Sequence, residues 1–153
     1  MDVPERVCAD ARGAQQHFDD KEPCMSTPYT HKKLTEVEDS APKFGLAGMG
    51  ETRFATGDLD AADTGVSLLR INAGRRQPFA HKHDEAEEVY VVLSGSGRVK
   101  LDDAIIDISE LDAIRVAPGV IRAFEAGPEG LQLFACGTHH AGDGEVIQGW
   151  WSD

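Results

Sequence analysis

From about residue 51 onward, short apolar runs alternate with Gly, Pro, Asp and Asn residues. This punctuation is typical of all-β barrels and sandwiches, in which short strands are separated by tight turns. No later stretch keeps the helical period of about 3.6 residues long enough for a substantial helix. Closing such strands into a barrel removes their exposed edges, so the pattern favours a barrel. The predicted strands are 52–56, 66–72, 78–83, 88–93, 98–101, 105–108, 113–116, 122–125 and 131–136.

Residues 1–30 are polar, mixed in charge and without periodicity. Such a pattern is typical of a mobile terminus, so we interpret 1–30 as a flexible N-terminal extension and 31–153 as a single barrel domain. Met25 begins the segment MSTPYT, which favours an upstream extension over residues 1–24. The alternative is an ordered arm that packs on a partner subunit. A short helical turn is expected over 34–39.

The charge pattern narrows the classes of partner. The chain carries a formal net charge of −12 and has no cluster of Lys and Arg that would neutralise phosphates, so we expect no nucleic acid. No run approaches the roughly 18 apolar residues that span a bilayer, and no signal peptide is evident. The three cysteines, Cys8, Cys24 and Cys136, lack a CxxC spacing. Such cysteine usage is typical of a reducing compartment, and we expect a cytoplasmic protein without membrane contact.

The candidate chemistry is concentrated in residues 74–97, GRRQPFAHKHDEAEEVYVVLSGSG. His81 and His83 lie two positions apart, so on a strand they project from the same face. A turn through 84–87 would reverse the chain and place the strand of Glu88 alongside them. Two imidazoles and a carboxylate form a ligand set for one divalent ion of Fe, Mn, Ni, Co or Zn, with positions left for water or substrate. The alternative is an exposed His-x-His pair beside a solvated acidic turn.

The same segment resembles the first motif of the cupin superfamily, G-x5-H-x-H-x3,4-E-x6-G. His81, His83, Glu88 and Gly95 match it, whereas Gly74 lies one residue too early. The resemblance extends over residues 65–137 and is to small single-domain bacterial cupins. It implies a double-stranded β-helix, or jelly-roll, barrel that holds a divalent metal inside, and it suggests a homodimer. Cupins include dioxygenases, decarboxylases, isomerases and epimerases, so the resemblance selects no reaction.

The second cupin motif, G-x5-P-x-G-x2-H-x3-N, matches only in part over 111–126, LDAIRVAPGVIRAFEA. Gly119 is kept, but Arg122 stands where the family has the His that supplies a fourth ligand. Arginine carries only donors and stays protonated, so it cannot bind a metal. Arg122 could oppose a metal, pair with Glu88 in a metal-free cavity, or grip a carboxylate or phosphate of a ligand. The remaining alternative is a surface arginine at the barrel rim.

Strand alternation gives further candidates for the cavity wall. Gln77 shares a face with the two histidines, and Tyr90 shares one with Glu88. Together with Arg122, they are the predicted contacts of a small-molecule ligand.

The C-terminal segment offers a second group of candidates. His139, His140 and Asp143 lie in a Gly-rich stretch, where one histidine could fold over the barrel mouth as a substitute ligand. Trp150 and Trp151 are expected to pack the tail against the barrel or a second subunit.

Two functions agree with these patterns. The first is a metal-dependent enzyme that acts on a small polar or anionic molecule oriented by Arg122. The second is a metal-free barrel that binds or senses a small molecule, which the loss of the fourth histidine favours. A purely structural module ranks last, because no long exposed apolar stretch demands a partner.

Overall fold

The computed structural model describes residues 28–152, and antiparallel strands make up most of them. Two short 3₁₀ helices, Leu34–Glu36 and Ala41–Phe44, come first, and the first of them confirms the predicted helical turn. The prediction for residues 1–27 lies outside the described residues. The eight strands are β1 Gly50–Phe54, β2 Thr64–Ile71, β3 Phe79–His83, β4 Glu88–Leu101, β5 Ala104–Ser109, β6 Ala113–Val116, β7 Arg122–Thr138 and β8 Gly144–Gln148.

All eight strands belong to one curled antiparallel sheet. Its main path runs β1-β2-β7-β3-β8, and β4 joins it by pairing with β5, β6 and β7. The long strand β7 binds β2 along one edge and β4 along the other. The result is the predicted all-β jelly-roll barrel.

Two of the observed strands each span two predicted strands. β4 unites the predicted strands 88–93 and 98–101, and β7 unites 122–125 and 131–136. Gly95 and Gly97 lie where the register between β4 and β7 shifts, so they mark irregularities within one strand rather than its end. A Cβ atom at Gly97 would lie 2.1 Å from the carbonyl oxygen of Glu125, which shows how closely the two backbones approach. The sequence analysis missed β8 altogether.

The barrel interior is filled by alternate side chains of β2, β4 and β7. The side chains of Val92, Val99, Phe124 and Leu133 are fully buried, and burial of each stabilises the fold by about 1.5–3 kcal/mol. Within the same layer lies Arg122, the buried charged residue of the described range. A cation in such a position demands a partner.

The C-terminal tail packs against the barrel, which is the first of the two predicted arrangements. The guanidinium of Arg76 lies 4.7 Å from the ring centroid of Trp151, and the ammonium of Lys100 lies 4.3 Å from that of Trp150. These distances are within the range of favourable cation–π contacts. Within residues 28–152, no helix has the length and apolar character to cross a membrane.

Asp39 fastens the second 3₁₀ helix to β1. Its Oδ1 accepts hydrogen bonds from the backbone N–H groups of Thr52 and Ala41, each at 2.9 Å. These two donors hold the pKa of Asp39 below its ordinary value. The ionised side chain therefore stabilises the fold above the unfolded-state pKa of about 3.9, and this contribution is lost as the pH falls through the lower folded-state pKa.

We therefore expect Asp39→Ala to flatten the dependence of the unfolding free energy on pH between about pH 5 and about pH 2. Urea titrations across this range test it. Asp39→Asn retains an oxygen acceptor but cannot ionise, so it should flatten the same curve while losing less stability at neutral pH. A wild-type slope in both variants would contradict the assignment.

Candidate metal centre

The three predicted ligands lie on two strands and converge in the barrel. β3 carries His81 and His83, and Glu88 is the first residue of β4. The expectation that these two strands lie side by side is wrong. β3 pairs with β7 and β8, because His81 lies opposite Arg122 on one edge and Val146 on the other. The side chains therefore meet although their strands share no backbone ladder.

The donor atoms of His81, His83 and Glu88 all lie within 4.8 Å of one another. Glu88 Oε2 is 3.8 Å from His81 Nε2 and 3.5 Å from His83 Nε2. Two ligand atoms that each lie about 2.1 Å from one ion are separated by roughly 3–4 Å. The spacing of this group therefore fits a single divalent ion.

Arg122 pairs with Glu88, which is one of the alternatives that the sequence left open. Its side chain is only 1% exposed, so the alternative of a surface arginine is wrong. Nη2 donates to Glu88 Oε2, Nε donates to the Tyr90 hydroxyl at 3.0 Å, and Nη1 donates to the His81 carbonyl oxygen at 3.4 Å. Tyr90 in turn donates its hydroxyl proton to Glu88 Oε2. The guanidinium of Arg122 is thus held against the carboxylate of Glu88 and the hydroxyl of Tyr90.

The surroundings fix the protonation states of the group. Burial alone would raise the pKa of Glu88, but the nearby imidazoles of His81 and His83, the hydrogen bond from Tyr90 and the charge of Arg122 hold this pKa well below its usual range. Burial, aided by Arg122, lowers the pKa of His81. Burial and the charge of Glu88 raise the pKa of Tyr90. At neutral pH, Glu88 is a carboxylate and His81 is neutral, which are the forms that bind metals.

Arg122 is compatible with a metal ligand at Glu88. A carboxylate offers about four lone-pair positions, two on each oxygen. Arg122 and Tyr90 both donate to Oε2, which leaves the positions on Oε1 for an ion. Carboxylates that bind metals are commonly hydrogen-bonded in this way. The residues present therefore fit one divalent ion with three protein ligands, and Arg122 and Tyr90 hold the carboxylate in place.

Asp143 is a site residue whose role the sequence analysis missed. Its Oδ1 accepts from the backbone N–H groups of Asp84 and Glu85, and its Oδ2 accepts from that of Ala86, each at 2.9 Å. It therefore holds the turn between the ligands. Asp143 Oδ2 also lies 3.7 Å from His83 Nδ1, a buried nitrogen that has no hydrogen-bond partner within residues 28–152. Only the pairing of β8 with β3 brings Asp143 here, and local sequence patterns do not report that pairing.

A cavity of about 450 Å³ opens beside the donor group. Gln77 and Tyr90 line it, although Gln77 Oε1 already accepts from the backbone N–H of Phe124 at 3.0 Å. Arg122 is not among the described residues that line it. His139 and His140 line the cavity, but the structure brings neither into the donor group.

The sequence matches no protein-family model and no curated protein. Solved structures do match it. A cupin protein from Bacteroides fragilis is 24% identical, with a TM-score of 0.59 over 83% of this chain and 97% of that chain. The polyketide cyclase RemF from Streptomyces resistomycificus is 19% identical, with a TM-score of 0.63 over 81% of this chain and 87% of that chain.

Oxalate decarboxylase from Bacillus subtilis is 20% identical, with a TM-score of 0.61 over 73% of this chain and 30% of that chain. Likeness at these identities establishes the fold and leaves the reaction open. The chain therefore has the cupin fold, the double-stranded β-helix barrel predicted from the motif of His81, His83, Glu88 and Gly95.

Proposed function

We propose that the protein is a metal-dependent enzyme that holds one divalent ion through His81, His83 and Glu88 and acts on a small molecule in the adjoining cavity. The observation that carries the proposal is the convergence of three donor atoms within 4.8 Å at the wall of this cavity. Two imidazoles and a carboxylate suit Fe, Mn, Ni, Co or Zn. Such an ion supplies Lewis-acid or oxygen-activating chemistry when bound.

The chain's own residues prepare the ligands for this role. Tyr90 and Arg122 donate to Glu88, which keeps its carboxylate ionised and fixed in orientation. Asp143 fixes the turn that separates the ligands of β3 from the ligand of β4. Ligands whose rotamers are locked by such supporting contacts lose little entropy on binding. The structural neighbours include a decarboxylase and a cyclase, and the fold alone does not choose between such reactions.

The second candidate function is a metal-free barrel that binds or senses a small molecule. The ion pair between Arg122 and Glu88 favours it, because the guanidinium already balances the charge that an ion would balance. The two candidates differ in one measurable property, the metal content of the protein.

We expect untagged protein to contain close to one divalent ion per chain by elemental analysis. His81→Ala and His83→Ala should each weaken binding of added Mn²⁺ or Zn²⁺ by more than about 100-fold, because each removes a direct ligand. Isothermal titration calorimetry measures this loss.

His140→Ala is the matched control, since His140 lines the same cavity outside the donor group. It should retain wild-type affinity for the ion. A wild-type protein that is purified without metal and takes up none when titrated would reject the enzyme proposal in favour of the metal-free barrel.

A further inference from the structure

The walls of the cavity carry a group of large apolar side chains beside the charged donor group. Three of the large apolar side chains that line it, those of Phe44, Phe54 and Val146, are half or more exposed to solvent. Phe44 and Phe54 pack edge to face, with ring centroids 6.3 Å apart. Exposed apolar side chains gathered at one opening, with polar groups beyond them, mark ligand-binding grooves.

The aromatic and aliphatic character continues along the walls. The cavity volume lies within the roughly 300–1,000 Å³ typical of sites for drug-sized molecules, which are mostly apolar with a few polar groups. Rings that line such a site attract flat aromatic ligands through offset or edge-to-face contacts. The large apolar and aromatic residues of the lining are Phe44, Leu46, Phe54, Leu69, Phe79, Tyr90 and Val146.

The charged residues of the cavity argue against a small organic acid. Among the described lining residues, none is Lys or Arg, whereas Glu87, Glu88 and Asp143 bring carboxylates. Arg122 is buried behind Glu88 and already paired with it, and Arg115 is paired with Glu87. In the absence of a metal ion, an anion would therefore meet carboxylates and no cationic side chain of the lining, whereas a bound divalent ion would attract it. Arg122 itself is not among the described residues that line the cavity.

Two of the polar side chains that could bind a polyhydroxylated ligand are already engaged within the fold. A sugar requires many hydrogen-bond partners, because each of its hydroxyl groups loses water on binding. Gln77 Oε1 is occupied by the backbone N–H of Phe124, and Thr56 Oγ1 accepts from that of Val66 at 3.0 Å. The polar groups of the donor cluster are concentrated at His81 and His83, so one oxygen-bearing end of a ligand is satisfied there.

We infer that the cavity binds a flat molecule with an aromatic body of about two fused rings and a hydroxyl or carbonyl oxygen at one end. The body packs against the phenylalanines, and the oxygen faces the histidines. Only the role of the oxygen end rests on the proposed function, because packing of the body needs no metal. The inference thus names a substrate class for the site.

The test is binding of three probes to the full chain as purified: 2-naphthol, succinate and D-glucose. We expect 2-naphthol to bind at least about tenfold more tightly than the other two. Phe54→Ala should weaken 2-naphthol about tenfold, because it removes an aromatic contact. Ile105→Ala is the control, since Ile105 is as exposed as Phe54 and lies on β5, outside the cavity. It should leave binding unchanged.

Repeating the titrations with and without EDTA separates this inference from the metal proposal. Binding of 2-naphthol in EDTA that falls in Phe54→Ala supports the aromatic cavity even if no metal is found. A metal-loaded protein that binds succinate or glucose as well as 2-naphthol overturns the inference and leaves the metal centre intact. Equal loss in Phe54→Ala and Ile105→Ala also overturns it.

Discussion

Replacing Arg122 with methionine is expected to lower the free energy of unfolding by about 3 kcal/mol, measured by denaturant titration in the presence of EDTA. Methionine fills much of the same volume, but it leaves the carboxylate of Glu88 without its cation. Removal of one partner from a buried ion pair usually costs about 3–5 kcal/mol, and the lower end applies because the Glu88 side chain is 18% exposed. The Tyr90 hydroxyl loses a donor as well.

The double variant Arg122→Met with Glu88→Gln is the control for this effect. It removes the unpaired charge together with the pair, so most of the lost stability should return. A saturating divalent ion should also restore stability to Arg122→Met, because it supplies positive charge to the folded state alone. A single variant as stable as the wild type in EDTA would contradict the role of Arg122 as the counter-ion of Glu88.

Gly95→Ala is expected to destabilise the fold by about 3 kcal/mol. Gly95 has a φ of +81°, and a Cβ atom there would lie 2.1 Å from the carbonyl oxygen of Gly130. The obstructing atoms belong to the backbone of β7, which pairs with β4 at this point. No flexible side chain can move aside, so the two strands would have to separate.

Gly119→Ala is the matched control, because Gly119 also has a φ of +81° but a Cβ atom there meets no heavy atom of the described part of the chain within 4 Å. It should lose only about 1–2 kcal/mol from the left-handed backbone conformation. The difference between the two variants in urea titrations measures the close approach of β4 and β7. Equal losses would show that the contact with Gly130 is not the cause.

The features that follow from local periodicity could be predicted from the sequence. Alternation along a strand predicts that His81 and His83 share one face of their strand and that Tyr90 shares a face with Glu88. The barrel class followed from short apolar runs between turn residues. The predicted strand 88–93 ended too early, before Gly95, whereas β4 continues to Leu101. A glycine that permits close backbone approach has the same sequence signature as one that ends a strand.

The features that depend on distant pairing could not be predicted. The partners of β3 are β7 and β8, so the strand of Glu88 lies elsewhere than expected. The choice of Arg122 between Glu88 and a ligand depends on which atoms the closed barrel places beside it. The role of Asp143 depends on a strand that local alternation did not reveal. The homodimer, the cytoplasmic location and the flexible extension stay predictions.

The contact of Asp143 with the turn after His83 has a consequence for the order of events during synthesis. The backbone N–H of Asp84 finds its partner 59 positions later in the chain. The chain loses the conformational entropy of closing this long loop before the contacts that stabilise it can form, so this stage of folding is slow. During synthesis on the ribosome, His81 and His83 leave the exit tunnel well before Asp143, whose carboxylate holds the turn that follows them. We therefore expect the arrangement of His81, His83 and Glu88, and with it the proposed metal site, to form only after β8 has left the exit tunnel.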